Sequence, residues 1–72
     1  MKGTVEWYDE RKKYGLIKGE DRKEIFVYEK DLPFLTLLDT GDEVEYQIKK
    51  IPGGSKAVNV KITKDSLFRS SL

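Results

Sequence analysis

Hydrophobic and polar positions along this chain alternate in short, strand-length blocks. The block that organises the rest runs from Lys12 to Tyr28, KKYGLIKGEDRKEIFVY. Its two apolar runs, Tyr14-Gly15-Leu16-Ile17 and Ile25-Phe26-Val27-Tyr28, are rich in aromatic and β-branched residues. A charged, Gly-containing connection joins them, so the pattern is that of a hairpin. Period two then sorts the side chains. Gly15, Ile17, Ile25 and Val27 fall on one face, the expected core side. Tyr14, Leu16, Phe26 and Tyr28 fall on the other, beside Lys12, Lys13 and Lys18. A small soluble domain rarely spends three rings on an outer face without a use for them.

The flanking blocks extend the same picture. Residues 2–8, KGTVEWY, have the composition of a strand, and Asp9 to Lys13 form a charged turn. Glu29 to Pro33 interrupt the pattern, because proline cannot continue a ladder and constrains its predecessor. Residues 34–38, FLTLL, are too short to stand as a helix and are expected to form a loop or single turn that packs its leucines under the sheet. Asp39-Thr40-Gly41-Asp42 is a turn. Residues 43–51 alternate, with Val44, Tyr46 and Ile48 inward. Pro52-Gly53-Gly54-Ser55 makes a tight reversal, the proline suiting its first corner and glycine a positive φ. Residues 56–63 alternate again, with Val58, Val60 and Ile62 inward. A domain over 1–64 is expected, with 65–72 a flexible tail. Five short strands and no helix of useful length imply an all-β barrel, since closure removes exposed edges. The expected inward set is Val5, Ile17, Ile25, Val27, Leu32, Val44, Tyr46, Ile48, Val58 and Val60.

Composition narrows the chemistry. Seventy-two residues make one domain near the lower size limit for a single core. The chain has no cysteine, hence neither disulfide nor thiolate metal site, and no histidine, the commonest general base and metal ligand. Asp39, Asp42 and Glu43 match no metal-ligand loop, and Gly41 explains them as a turn. Gly15 and Gly19 precede no helix and form no phosphate loop. No enzyme activity, cofactor, metal or small-molecule substrate is therefore expected. Fourteen basic and thirteen acidic residues leave a net charge of +1, so any attraction for a polyanion must come from where charges sit. No apolar run is long enough to span a membrane, and the N-terminus has no signal-peptide core. The expectation is a cytoplasmic protein without a membrane partner.

Gly3-Thr4-Val5-x-Trp7-Tyr8, Lys12-Lys13-Tyr14-Gly15-Leu16-Ile17 and Ile25-Phe26-Val27-Tyr28 together resemble the cold-shock domain. That family reads G-x-V-K-W-F-N, K-G-F-G-F-I and V-F-V-H. The likeness continues through Leu38-Asp39-x-Gly41-Asp42-x-Val44-x-Tyr46 and Ala57-Val58-Asn59-Val60, covering about residues 2–63. It implies a five-stranded antiparallel barrel of the oligonucleotide-binding (OB-fold) type. It also implies a partner, single-stranded RNA or DNA, and a role as RNA chaperone or regulator of transcription or translation. The implied platform is Trp7, Tyr14, Leu16, Phe26 and Tyr28, with Lys12 and Lys13 on its flank. Phe34 joins the candidate set from the loop, where either Phe34 or Leu35 stands for the family's loop aromatic.

Some positions depart from the family pattern. Glu6, Asp9 and Glu29 place carboxylates around the rings, Lys13 replaces a glycine, and Leu16 replaces a ring that could stack. Each is expected to weaken binding. Strict alternation also puts Trp7 inward with Val5, whereas the resemblance puts it outward, which requires β1 to bulge. Two plainer readings stand beside this one. The rings could be a cross-strand cluster that only stabilises the sheet. Alternatively, the acidic drift fits a barrel that uses the same face to bind protein.

Overall fold

The alternating blocks become strands in a computed structural model, which describes residues 1–34 and 36–63. These strands are β1 (Lys2–Asp9), β2 (Tyr14–Gly19), β3 (Glu24–Tyr28), β4 (Glu43–Ile51) and β5 (Gly54–Ile62). A single 3-10 turn, Glu29–Asp31, follows β3 where the apolar pattern breaks. Gly53 holds the β4–β5 reversal at φ +86°, as its composition implied. The expected tail, 65–72, lies outside the described residues.

The strands close into a barrel in the order β1-β2-β3-β5-β4, with β4 returning to β1. Each pairing is antiparallel except that between β3 and β5, which is parallel at Phe26–Lys56 and Val27–Ala57. Geometry requires the exception: alternating directions around a ring of five strands must meet one like-directed pair. An ion pair lies at this seam. Lys56 Nζ is 2.9 Å from Asp31 Oδ2, with side chains only 12% and 19% exposed. It ties the 3-10 turn to β5.

Inside the barrel, Val5, Ile17, Ile25, Val27, Val44, Tyr46 and Val60 are buried as expected, and Leu32 packs partly buried against them. Leu38 also turns inward, while Leu37 stays exposed. Two expected core residues are not in the core: Val58 is only half-buried and Ile48 is exposed. Val58 is displaced by a bulge. Gln47 faces Val58 but Glu45 faces Lys61, so β5 supplies an extra residue opposite Tyr46. Asn59 takes the left-handed conformation there, φ +52°, which asparagine tolerates. Its side-chain amide donates to Gln47 Oε1 at 2.5 Å. The extra residue turns Ala57 and Val60 inward and Val58 out. Ile48 has a different cause. β1 covers β4 only as far as Glu45, so beyond Tyr46 the ribbon leaves the closed wall and Ile48 borders a recess.

Candidate nucleic-acid interface

The interface begins with an irregularity in β1. Val5 faces Ile17 and Trp7 faces Leu16, which makes Glu6 the extra residue of a bulge. Val5 therefore points inward and Trp7 outward, 38% exposed, while Tyr8 turns back against the core. The bulge overrides strict alternation, which would have put Trp7 inward, and gives the outward Trp7 that the resemblance implies. Gly15 makes this possible. A Cβ there would stand 2.5 Å from the Trp7 carbonyl oxygen and 2.6 Å from Tyr8 Cδ1, so only glycine lets the bulge sit against β2.

Four rings gather on this face. Tyr14 is their centre: 5.4 Å from Trp7 edge to face, 5.8 Å from Phe26, and 6.2 Å from Tyr28 in a stacked arrangement. Phe26 and Tyr28 lie 6.4 Å apart. Such spacings are those of attractive aromatic pairs. Leu16 is the register partner of both Trp7 and Phe26, so it fills the gap between their rings. Phe26 remains 42% exposed although it belongs to the cluster. Trp7, Tyr14, Leu16, Phe26 and Tyr28 are thus brought together. Phe34 is not: it is 90% exposed in the loop and meets no other ring among the described residues.

Lys12 and Lys13 lie in the turn that enters β2. Asp9 Oδ1 accepts the backbone N–H groups of Arg11 at 2.9 Å and Lys12 at 3.1 Å, so its carboxylate shapes the turn much as an asparagine would. Lys13 stands at φ +64°, where glycine is at ease. Its Nζ lies 3.8 Å from Glu29 Oε1, and the Glu29 N–H donates to the Lys13 carbonyl at 2.9 Å. Two departures from the family pattern therefore answer each other, and the Lys13 charge is partly spent. Lys12 makes no ion pair among the described residues.

Glu6 has an acidic partner that sequence reasoning missed. Its carboxyl shares a hydrogen bond with Glu24, which raises its pKa above the ordinary value; desolvation and the Glu24 charge raise it further, while Lys18 lowers it. A signal for this partner exists in the sequence. Counting back two from Phe26 puts Glu24 on the ring face, opposite Lys18.

A closed five-stranded barrel with outward rings on β1–β3 agrees with a match, over residues 1–63, to the family model of the "'Cold-shock' DNA-binding domain". The chain belongs to the cold-shock domain family. Similar relatives include a cold shock-like protein of Thermotoga maritima, 31% identical over 64 residues, covering 86% of this chain and 97% of the relative. One of Aquifex aeolicus is 33% identical over 65 residues, covering 86% and 93%. Cold shock-like protein CspE of Escherichia coli K12 is 38% identical over 64 residues, covering 83% and 91%. Cold-shock domains are in general nucleic-acid-binding modules without enzymatic activity. This member keeps rings at Trp7, Tyr14, Phe26 and Tyr28, has Leu16 in place of another, and adds carboxylates at Glu6, Asp9 and Glu29 to the family pattern.

Proposed function

We propose that the protein binds single-stranded RNA or DNA by stacking bases on Trp7, Tyr14, Phe26 and Tyr28, with Lys12 at the rim against phosphate. The observation that carries this reading is the outward turn of Trp7. A bulge that exposes a tryptophan beside three other rings does nothing for the core. Stacking contributes about 1–3 kcal/mol per base and tolerates any base, since each has a π-face. Sequence-tolerant binding of that kind suits an RNA chaperone or a regulator that acts on many transcripts. Leu16 interrupts the row of rings, and Glu6, Glu24 and Glu29 lower the local positive charge, so the affinity is expected to be modest for this fold.

Trp7 is the sole tryptophan, so its fluorescence reports on the face directly. Titration with short pyrimidine-rich RNA and DNA over a salt series should quench it, with affinity falling as salt rises. Phe26→Ala should weaken binding by about 1–3 kcal/mol. Its effect on stability should be well below the roughly 3–5 kcal/mol of a core phenylalanine truncation. A second reading, in which the face binds a protein, is favoured by the same carboxylates. Absence of any single-strand binding at low salt would decide for it.

A further inference from the structure

The ring face ends at Phe26 on an opening in the barrel. Between the β2–β3 connection and the β4–β5 ribbon lies a recess of about 380 Å³. Phe26 and Ile48 form apolar walls, Asp21, Lys23 and Glu24 lie at one side, and Ser55 at another. It exists because β4 outruns β1, the same feature that exposes Ile48.

Its floor is polar. Tyr46 is only 2% exposed, and its side chain lines the recess. That hydroxyl lies beside Gly19 and Asp21: a Cβ on Gly19 would stand 2.5 Å from it and 2.6 Å from Asp21 Oδ1. Gly19 therefore leaves room for the hydroxyl where any larger residue would displace it. Burial raises the Tyr46 pKa, and the charges of Asp21 and Glu20 raise it further, so the hydroxyl keeps its proton and can donate. Asp21 is held in place, its Oδ1 accepting the Lys23 N–H at 3.0 Å.

We propose that this recess receives one base of a strand running off Phe26, and that it selects guanine. The inference rests on the single-strand reading of the ring face. Bases of single strands are open to recognition along their Watson–Crick edges. On guanine, N1–H and the N2 amino group are adjacent donors that one carboxylate accepts together, and O6 beside them accepts from a hydroxyl. Asp21 and Tyr46 present those complementary groups side by side. Uracil would turn an oxygen toward Asp21 at one of the two positions. Cytosine and adenine each offer a single amino group there. The walls of Phe26 and Ile48 cover the faces of the base, and Lys23 partly offsets the carboxylates of Asp21 and Glu24.

The test follows Trp7 fluorescence with hexauridylate and with hexamers carrying a single guanosine at each position in turn. In at least one position guanosine should tighten binding by about tenfold, the scale of a good bidentate contact. Asp21→Asn preserves the acceptor for Lys23 N–H but reverses half of the hydrogen-bonding edge. It should remove the guanosine advantage, while hexauridylate binds at least as tightly, because the carboxylate that faces a uracil oxygen is gone. Tyr46→Phe should remove part of it. Because Asp21 is exposed, its variant keeps the test sound even if Tyr46→Phe unfolds. Hexauridylate binding without any gain from guanosine overturns the recess and leaves the ring face standing. So does a gain that survives Asp21→Asn, which would come from stacking alone. Failure of all strands to bind overturns both readings.

Discussion

In β1 the extra residue is Glu6, and it turns Trp7 out of the barrel beside Tyr14; in β5 the extra residue lies at Asn59–Val60, and it exchanges Val58 for Ala57 in the core. The two bulges solve opposite problems. The one in β5 brings a small side chain to the crowded seam with β3, and the outer face of that ribbon remains polar, with Glu45, Gln47, Lys49 and Lys61. The one in β1 adds a large ring to a surface that already has three. The core gains nothing from that, since Val5 and Tyr8 face inward on either side. On the proposed function, stability and recognition fall to different strands: the largely covered ion pair joins the 3-10 turn to β5, and the exposed rings lie on β1–β3.

This division is broken most directly at the seam. Asp31→Ala leaves the Lys56 ammonium nearly buried without its partner and should cost about 3 kcal/mol. Urea unfolding measures the loss. Replacing both residues, as Asp31→Leu with Lys56→Met, should recover most of it, because an apolar pair carries no desolvation penalty. If Asp31→Ala costs less than about 1 kcal/mol, the seam is held by its ladder and not by the ion pair.

Gly15→Ala tests whether the β1 bulge depends on β2. The new Cβ would collide with the Trp7 carbonyl, and backbone cannot step aside as a flexible side chain can. A loss of about 2 kcal/mol is expected, in the range of overpacking. Changed Trp7 fluorescence in the folded variant should accompany it. An unaltered spectrum would mean that the bulge tolerates the shift and that Gly15 is not what places Trp7.

Leu16→Phe probes the contrast from the other side. Filling the gap between Trp7 and Phe26 with a ring should tighten single-strand binding by about 1 kcal/mol, part of one stacked base. In the Phe26→Ala background most of this gain should vanish, because the new ring needs its neighbour. Isothermal titration of the two pairs gives the coupling. A gain that is the same in both backgrounds would show that Leu16 does not bridge the rings.

The smallest effect expected is electrostatic. Glu6 has a raised pKa in the fold, so it binds a proton more readily folded than unfolded. Its contribution to stability is then fully present below the unfolded value and is lost as pH rises through the folded one. For binding, lowering the pH from 7 toward the ordinary glutamate value of 4.5 removes negative charge beside Trp7 and should strengthen attachment. Glu6→Gln should flatten that dependence. Glu6→Lys should go further and steepen the log–log salt slope by about 0.7, the effect of one phosphate contact on a single strand. A salt slope that does not change would place Glu6 away from the strand's path.

Much of this surface is legible in the order of residues alone. The two faces of the β2–β3 hairpin follow from period two, and Gly15, Ile17, Ile25 and Val27 are all buried where that period places them. The same count puts Glu24 on the ring face, a neighbour for Glu6 that motif matching passes over. Val58 defies the alternation because the β5 bulge shifts it, whereas Ile48 is exposed because β1 no longer covers β4 there. The Lys56–Asp31 pair has no signal at all, since residues 25 apart in sequence meet only when the barrel closes.

Which residues belong to strands, and which side chains share a face within a regular run, is settled by sequence, because alternation is a local property of extended backbone. The cold-shock motifs further settle the family, and with it the barrel. Where that alternation skips is a tertiary matter: at Glu6, which sends Trp7 outward, and at Asn59, which sends Val58 outward. A bulge is defined by the residue across the ladder, and that partner is chosen by the closure of the barrel. The recess beneath Phe26 has the same origin, for it depends on how far β1 reaches along β4, a length that neither strand specifies alone.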